Sequence, residues 1–408
     1  MSAEEWEEAP LGSRLLSIET GRSPSLTDTP AAPGHWGVLK VSAINSSGFR
    51  PSENKAVDDA ALINERFEVR PGDLLFSRAN TPELVGAACI AAPSQERLML
   101  SDKTLRLVVD RRLAEPEFVK LSLASPTVRK QIAVAASGSS LSMQNISQER
   151  VEALSIRWPD LKEQRHIVEF LEALGEKERS IEAAITKLRV VRRGALMSMM
   201  SSLELAELTP GFMRESLKEF VPVVEYGVSV ALGREPVGTP VLRMNNLHEG
   251  RAVVDDLRYL PRSVPSGLLL RDGDVLFNRT NSIEHVGKSA LWRGELPEAT
   301  FASYLVRLVP NRQKLLPEYL VEWLQHPLIR QRIRAIATVA VQQVNVNPTR
   351  LRELEIDVPE DLDFQRKAVG VLSAFDDRIE AQREEQRKLA ELKAGLVDDL
   401  LQGARRIG

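Results

Sequence analysis

One stretch of this chain occurs twice. "VRPGDLLFSRANTPELVGAACI" begins at Val69, and "LRDGDVLFNRTNSIEHVGKSAL" begins at Leu270. Gly72-Asp73 falls on Gly273-Asp274, and Phe76, Arg78 and Asn80 fall on Phe277, Arg279 and Asn281. The match runs on through "LRLVVD" and "VRLVPN", through Pro116-Glu117-Phe118 and Pro317-Glu318-Tyr319, to Gln164-Arg165 and Gln365-Arg366. A period of about two hundred residues is far longer than the few tens of a solenoid repeat. It predicts a duplicated domain.

Each copy reads as α+β followed by a long helix. "GDLLFSR" and "GDVLFNR" have the composition of buried strands opened by a Gly-Asp turn. The segments from Glu115 and Leu316 read as two short helices broken near Pro126 and Pro327. "VEALSIRWP" and "LRELEIDVP" read as a last strand closed by proline. From Leu161 to Met200, and from Leu362 to Gln402, proline is absent and glycine rare. Asp160 with Glu163 predicts a capping box at the first start. Ile167, Leu174, Ile181, Leu188 and Ala195 recur every seventh residue, with Leu171, Glu178, Ile185, Arg192 and Met199 between them. The second helix offers Ala368, Phe375, Gln382, Leu389 and Leu396, with Leu372, Ile379, Gln386, Lys393 and Leu400. This is a coiled-coil seam whose polar minority sets register and orientation. Each helix would be roughly 60 Å long at 1.5 Å per residue.

The expected architecture is therefore two similar α+β globules joined by two long helices that form an antiparallel coiled coil, with pseudo-two-fold symmetry. The expected boundaries are 1–159 and 203–360 for the globules, and 160–202 and 361–408 for the helices. The alternative is two ordinary helices, each packed on its own globule.

Composition narrows the class. A single cysteine, Cys89, excludes an internal disulfide and fits a reducing compartment. The opening "MSAEEWEEAP" is acidic and lacks an apolar core, and no run of eighteen apolar residues occurs. The expected location is cytoplasmic. The net charge of −3 offers no whole-chain attraction to nucleic acid, so any DNA contact must rest on local patches.

The doubled pattern resembles the specificity (S) subunit of type I restriction-modification systems. The matching elements are "GDLLFSRAN" and "GDVLFNRTN", "NISQERVEALSI" and "NVNPTRLRELEI", and a proline followed by Gln-Arg and a long helix. One departure is Phe364 before Gln365, where the family has Glu. The resemblance implies a non-catalytic, sequence-specific DNA-binding subunit for phage defence. Each globule would be a target recognition domain reading half of a split, asymmetric target. The helices would fix half-site spacing and dock two methyltransferase chains. Restriction-translocase subunits would join the full complex. S-adenosylmethionine, ATP and Mg would belong to partner chains, leaving no cofactor here. Gln164, Arg165, Gln365 and Arg366 are the expected partner contacts.

DNA specificity needs Arg for guanine and Asn or Gln for adenine, and phosphate contacts need Arg, Lys, Ser, Thr or Asn. Strand-end loops supply Arg78, Asn80 and Thr81, and Arg279, Asn281 and Ser282. Polar loops before the last strand supply Ser140, Gln144 and Asn145, and Gln342, Gln343 and Asn345. The strand-like pieces "LKVSAIN" and "LRMNNLH" add Lys40, Ser42 and Asn45, and Arg243, Asn245 and Asn246. Arg78 and Arg279 occur in both copies. That favours structural bonding, for instance to Asp73 and Asp274, or phosphate contact over base readout. Arg330 and Arg334, one helical turn apart, suit phosphate contact or a solvated face equally well.

No catalytic residue emerges. "EHVGKS" ends like a phosphate-binding loop, but its first glycine position is Ser282. The five histidines are scattered, without zinc spacing. Two other readings fit the same residues: a coiled-coil scaffold whose globules bind proteins rather than DNA, and an enzyme with an unrecognised site.

Overall fold

A computed structural model describes residues 6–45, 48–92, 97–140, 143–200, 208–339 and 343–401. The chain divides into two compact units, Met1–Glu182 with Glu384–Gly408, and Ala183–Arg383. The long helices are Leu161–Met199 and Leu362–Leu401, and the division cuts each of them.

In the first unit a four-stranded antiparallel sheet runs in the order Leu15–Thr20, Thr104–Val109, Leu74–Ser77, Ala88–Ile90. The Gly-Asp turn opens its third strand. Gly72 has φ +88°, a conformation that favours a residue without a Cβ, and the Asp73 carboxylate accepts the Arg70 N–H at 2.8 Å. Asp73 also takes Arg106 Nη1 at 2.8 Å, while Arg106 Nε reaches Glu19 at 2.9 Å. The second unit repeats the device. Gly273 has φ +84°, Asp274 accepts the Arg271 N–H at 2.9 Å, and Arg307 bonds Asp274 at 2.9 Å and Glu225 at 2.7 Å. The repeated aspartates are therefore held by Arg106 and Arg307 on the neighbouring strand. Arg78 and Arg279, the expected partners, do not hold them.

The second unit's sheet has six strands: Val223–Tyr226, Leu305–Val309, Val275–Asn278, Ser289–Leu291, Gly250–Ala252 and Leu247–His248. Each unit has its own core, around Phe76, Phe118 and Trp158 in one and around Phe277, Tyr319 and Trp323 in the other. Paired short helices cover each core, Pro116–Ala124 with Pro126–Ala135, and Pro317–Gln325 with Pro327–Ala335. Ser125 and His326 cap the second helix of each pair, so both breaks fall before the expected prolines.

Both long helices contribute to both units. In the first, Ile167 and Leu171 share the core with Leu400 and Leu401. In the second, Leu196 and Met200 share it with Ala368 and Leu372. The polar seam residues pair as an antiparallel arrangement requires. Glu178 meets Lys393 at 2.6 Å and Glu182 meets Gln386 at 2.9 Å in the first unit. Arg192 meets Asp376 at 2.5 Å in the second. Residue numbers rise on one helix as they fall on the other. At the first helix start, Asp160 accepts the Glu163 N–H at 2.8 Å, but the Glu163 carboxylate goes to Trp6 Nε1 at 3.2 Å and does not close the capping box. Phe364, at the equivalent position, stacks edge-on against Phe212, centroids 5.6 Å apart. Glu163 and Phe364 thus do one job, each tying its long helix to the unit's outer strand or the residue just before it. Among the described residues, no helix is long and apolar enough to cross a membrane.

Candidate nucleic-acid interface

A small three-stranded sheet in each unit brings distant candidates together. In the first, Ala79–Asn80 pairs with Met143–Asn145, which pairs with Ser137–Ser140. Gln144 lies opposite Asn80, and Asn145 opposite Ala79. In the second, Thr280–Asn281 pairs with Val344–Asn345, which pairs with Thr338–Val339. The backbone of the repeated arginine is the pivot. The Arg78 carbonyl accepts the Ile146 N–H at 3.0 Å, and the Arg279 carbonyl accepts the Val346 N–H at 2.8 Å. Both arginine side chains are half-buried at this joint. Gln144 is half-buried, and Asn145 and Gln343 are exposed. The Ser140 side chain and Gln342 lie outside the described residues.

Several expected contacts have structural work instead. Asn80 is buried, with Nδ2 donating to Ser77 Oγ at 3.1 Å and Oδ1 accepting the Thr81 N–H at 2.9 Å. Asn281 likewise accepts the Ser282 N–H at 2.8 Å. These repeated asparagines shape the turn, which explains why both copies carry them. The Glu83 carboxyl sits below its ordinary value because its own backbone N–H and then the Thr81 hydroxyl bond it. Glu284 is lowered in the same way by its own backbone and Ser282. Each loop tip thus presents a carboxylate, which suits a base-edge donor better than a phosphate oxygen.

Arg129 and Arg330 clamp these loops from behind. Arg129 donates to the Val85 carbonyl at 2.7 Å and the Glu83 carbonyl at 3.0 Å, and Arg330 donates to the Glu284 carbonyl at 3.2 Å. Burial, and then the nearby Arg334, bring the Arg330 guanidinium down to about 10, still charged at neutral pH. Arg330 is half-buried against its own loop, while Arg334 is exposed.

"LKVSAIN" and "LRMNNLH" are not continuous strands. Each is a strand, a 3-10 turn (Val41–Ala43 or Met244–Asn246) and a short strand. Lys40 is paired with Asp28 at 2.6 Å, Ser42 donates to Glu53 at 2.7 Å, and Asn45 is also partnered. Arg243 is paired with Asp256 at 2.8 Å, which Asn245 also reaches at 3.1 Å. Asn246 is buried and closes its own turn, accepting the Arg243 N–H at 2.8 Å and donating to the Val253 carbonyl at 2.9 Å. Acidic neighbours thus offset the cations here, and Asn246 has no face for DNA.

The two glutamines expected at a partner surface are corrected outright. Gln164 and Gln365 are 1% and 0% exposed. Gln164 accepts the Glu115 N–H at 2.9 Å and donates to the Leu113 and Pro159 carbonyls at 3.2 and 3.0 Å. Gln365 repeats this with Leu316, Lys314 and Pro359 at 2.9, 2.9 and 3.0 Å. Each welds a long helix to its unit, leaving nothing to offer a partner. Their neighbours are exposed: Arg165 beside Glu115 at 2.5 Å, and Arg366 beside Asp363.

Residues 265–391 match the family model of the type I restriction modification DNA specificity domain. That match takes in the second unit's small sheet and most of the second long helix. It is 28% identical over 200 residues to a putative type I restriction enzyme MjaX specificity subunit of Methanocaldococcus jannaschii, covering 48% of this chain and 47% of that one. It is 29% identical over 168 residues to the EcoEI specificity subunit of Escherichia coli, covering 41% and 28%. The chain thus spans about half or less of the length of these two relatives. Solved structures show the same fold. The S subunit of M. genitalium superposes with a TM-score of 0.59 at 13% identity, covering 98% of this chain and 97% of that one. A chain of a type I R-M system solved for its complex assembly and conformational transition gives 0.61 at 20%, covering 98% of both.

Proposed function

We propose that this chain is the DNA sequence-specificity subunit of a type I restriction-modification complex, and that each unit reads one half of a bipartite, asymmetric target. The observation carrying this reading is the small sheet that seats a strand-end arginine beside a Gln/Asn hairpin in both units, while the hairpins differ in sequence. Shared framework with divergent polar ends is what two readers of different bases require. Arg and amide side chains on a sheet joint are held in a fixed geometry, which base-edge hydrogen bonding needs.

Chemistry would reside on partner chains, with methyltransferase subunits, two by the duplication, docking along the long helices and restriction subunits joining the full complex. Exposed Arg165 and Arg366, at equivalent helix starts, are the best placed of the expected residues for that contact. The net charge of −3 predicts weak DNA binding by this chain alone. Mobility shift of duplex DNA by the full chain, with and without a co-expressed methyltransferase, tests the reading. Sequence-dependent retention that strengthens with the methyltransferase is expected. Equal retention of all sequences in both conditions contradicts it.

A further inference from the structure

The repeated arginine sits in two different chemical settings. Arg279 Nη2 donates to Asn345 Oδ1 at 2.9 Å, and Asn345 Nδ2 donates to Thr280 Oγ1 at 3.0 Å. The Arg279 guanidinium also lies 5.1 Å from the ring centroid of Tyr226, within cation–π range. The Arg279 N–H bonds the carbonyl of Tyr304 at 3.0 Å. Both tyrosines are half-exposed, 52% and 48%, and they are two of the four in the chain.

The first unit has the same backbone and different side chains. Tyr226 lies opposite Val306 in the sheet, and its counterpart opposite Leu105 is Thr20. The Arg78 N–H bonds the carbonyl of Lys103, the counterpart of Tyr304, at 3.0 Å. Ala79 replaces Thr280, so Asn145 lacks the hydroxyl that orients Asn345. The Nε of Arg78, like that of Arg279, is buried with no hydrogen-bond partner among the described residues, and Lys103, whose carbonyl takes the Arg78 N–H, is exposed. One site is an arginine pinned between an amide and an aromatic ring. The other is an arginine with no such amide or ring contact among the described residues, bonded through its backbone to an exposed lysine.

We infer that the second unit uses Tyr226 and Asn345 to position Arg279 for reading a guanine edge, whereas the first unit uses Arg78 and Lys103 to hold phosphate. This rests on the DNA-reading proposal above and assigns its two ends unequal roles. A pinned guanidinium with Nε buried leaves Nη1 and the second Nη2 proton for guanine O6 and N7, the commonest specific arginine contact. Fixing the side chain before binding reduces the ordering cost and sharpens the geometry. Two cations without a fixed amide or ring partner can meet a phosphate with little directional demand, which is positioning without sequence information.

The test is selection from a randomised duplex library by the full chain with a co-expressed methyltransferase. Four proteins are compared: wild type, Tyr226→Thr, Tyr226→Phe, and the double variant Arg78→Ala with Lys103→Ala. Tyr226→Thr installs the first unit's residue and should relax one guanine in one half-site, by about 5- to 150-fold in discrimination, with the other half-site unchanged. Tyr226→Phe keeps the ring and should keep the preference. The double variant should preserve every preferred base and lower the slope of log K against log salt by about 1 to 2. Unchanged preferences in Tyr226→Thr, or altered bases in the double variant, would overturn the inference while leaving the parent reading intact. A wild-type protein that enriches no sequence overturns the parent reading, and the inference with it.

Discussion

Arg192 and Asp376, on different long helices, meet through both guanidinium prongs, Nε at 2.5 Å and Nη2 at 2.8 Å, and the same Nη2 reaches Glu322 of the second globule at 2.7 Å. One arginine therefore joins three elements of that unit, with Arg192 and Glu322 side chains only 14% and 12% exposed. Burial, against the pull of Arg192, holds the Glu322 carboxyl above its ordinary value.

Arg192→Ala should destabilise the second unit by about 3–5 kcal/mol at neutral pH, because it strands a buried carboxylate. The pH dependence follows from the sign of the shift. A raised carboxyl takes up a proton on folding, so its contribution is present at and below the ordinary value of 4.5 and is lost as pH rises through the folded value. Without Arg192 the carboxyl rises further, and the gap between variant and wild type should narrow on acidification. Thermal unfolding across pH checks this; a gap that widens at low pH would contradict it.

Gln365→Leu removes three hydrogen bonds from a site with no water-facing side. Orphaning the Leu316 N–H alone should cost about 1–3 kcal/mol. Gln164→Leu should act alike in the first unit. Denaturant midpoints within error of wild type would show that these glutamines are not structural ties.

Glu178→Lys should destabilise the first unit by setting two cations face to face, by about 0.5–1 kcal/mol for this partly exposed pair. Adding Lys393→Glu should restore most of the loss. Failure of the double variant to recover would mean that the pair does not set helix register.

Inserting seven residues into both long helices, after Glu182 and before Glu384, keeps the heptad phase and adds about 10 Å to each. The proposal predicts about three more base pairs between half-sites at about 3.4 Å per step, with the half-sites themselves unchanged. Methylome sequencing of cells carrying the altered system reads both quantities. New base preferences would count against the helices as spacers.

Much of this was legible in the sequence. The duplication, the Gly-Asp turns, both long helices and the polar seam can be read from spacing, because turn chemistry and heptads are local. Side-chain partners were not legible to the same extent. Asp73 found Arg106 across a strand pair and left Arg78 alone, because register, which sequence spacing does not display, decides which side chains meet. Gln164 read as a surface contact because an amide looks alike whether it faces solvent or three backbone groups. The unequal settings of Arg78 and Arg279 depend on Thr20, Lys103, Tyr226 and Tyr304, which lie outside the repeated motif itself. Thr20 and Tyr226 do not share the offset that aligns Arg78 with Arg279, so only the strand register brings out their equivalence.

The central claim is that two units of one chain read two separate blocks of bases. Selection of the full chain with a co-expressed methyltransferase against a randomised duplex library measures this directly. The account predicts two short, different blocks separated by an unspecified gap of constant length. A single contiguous block, or a gap that varies freely, would contradict it.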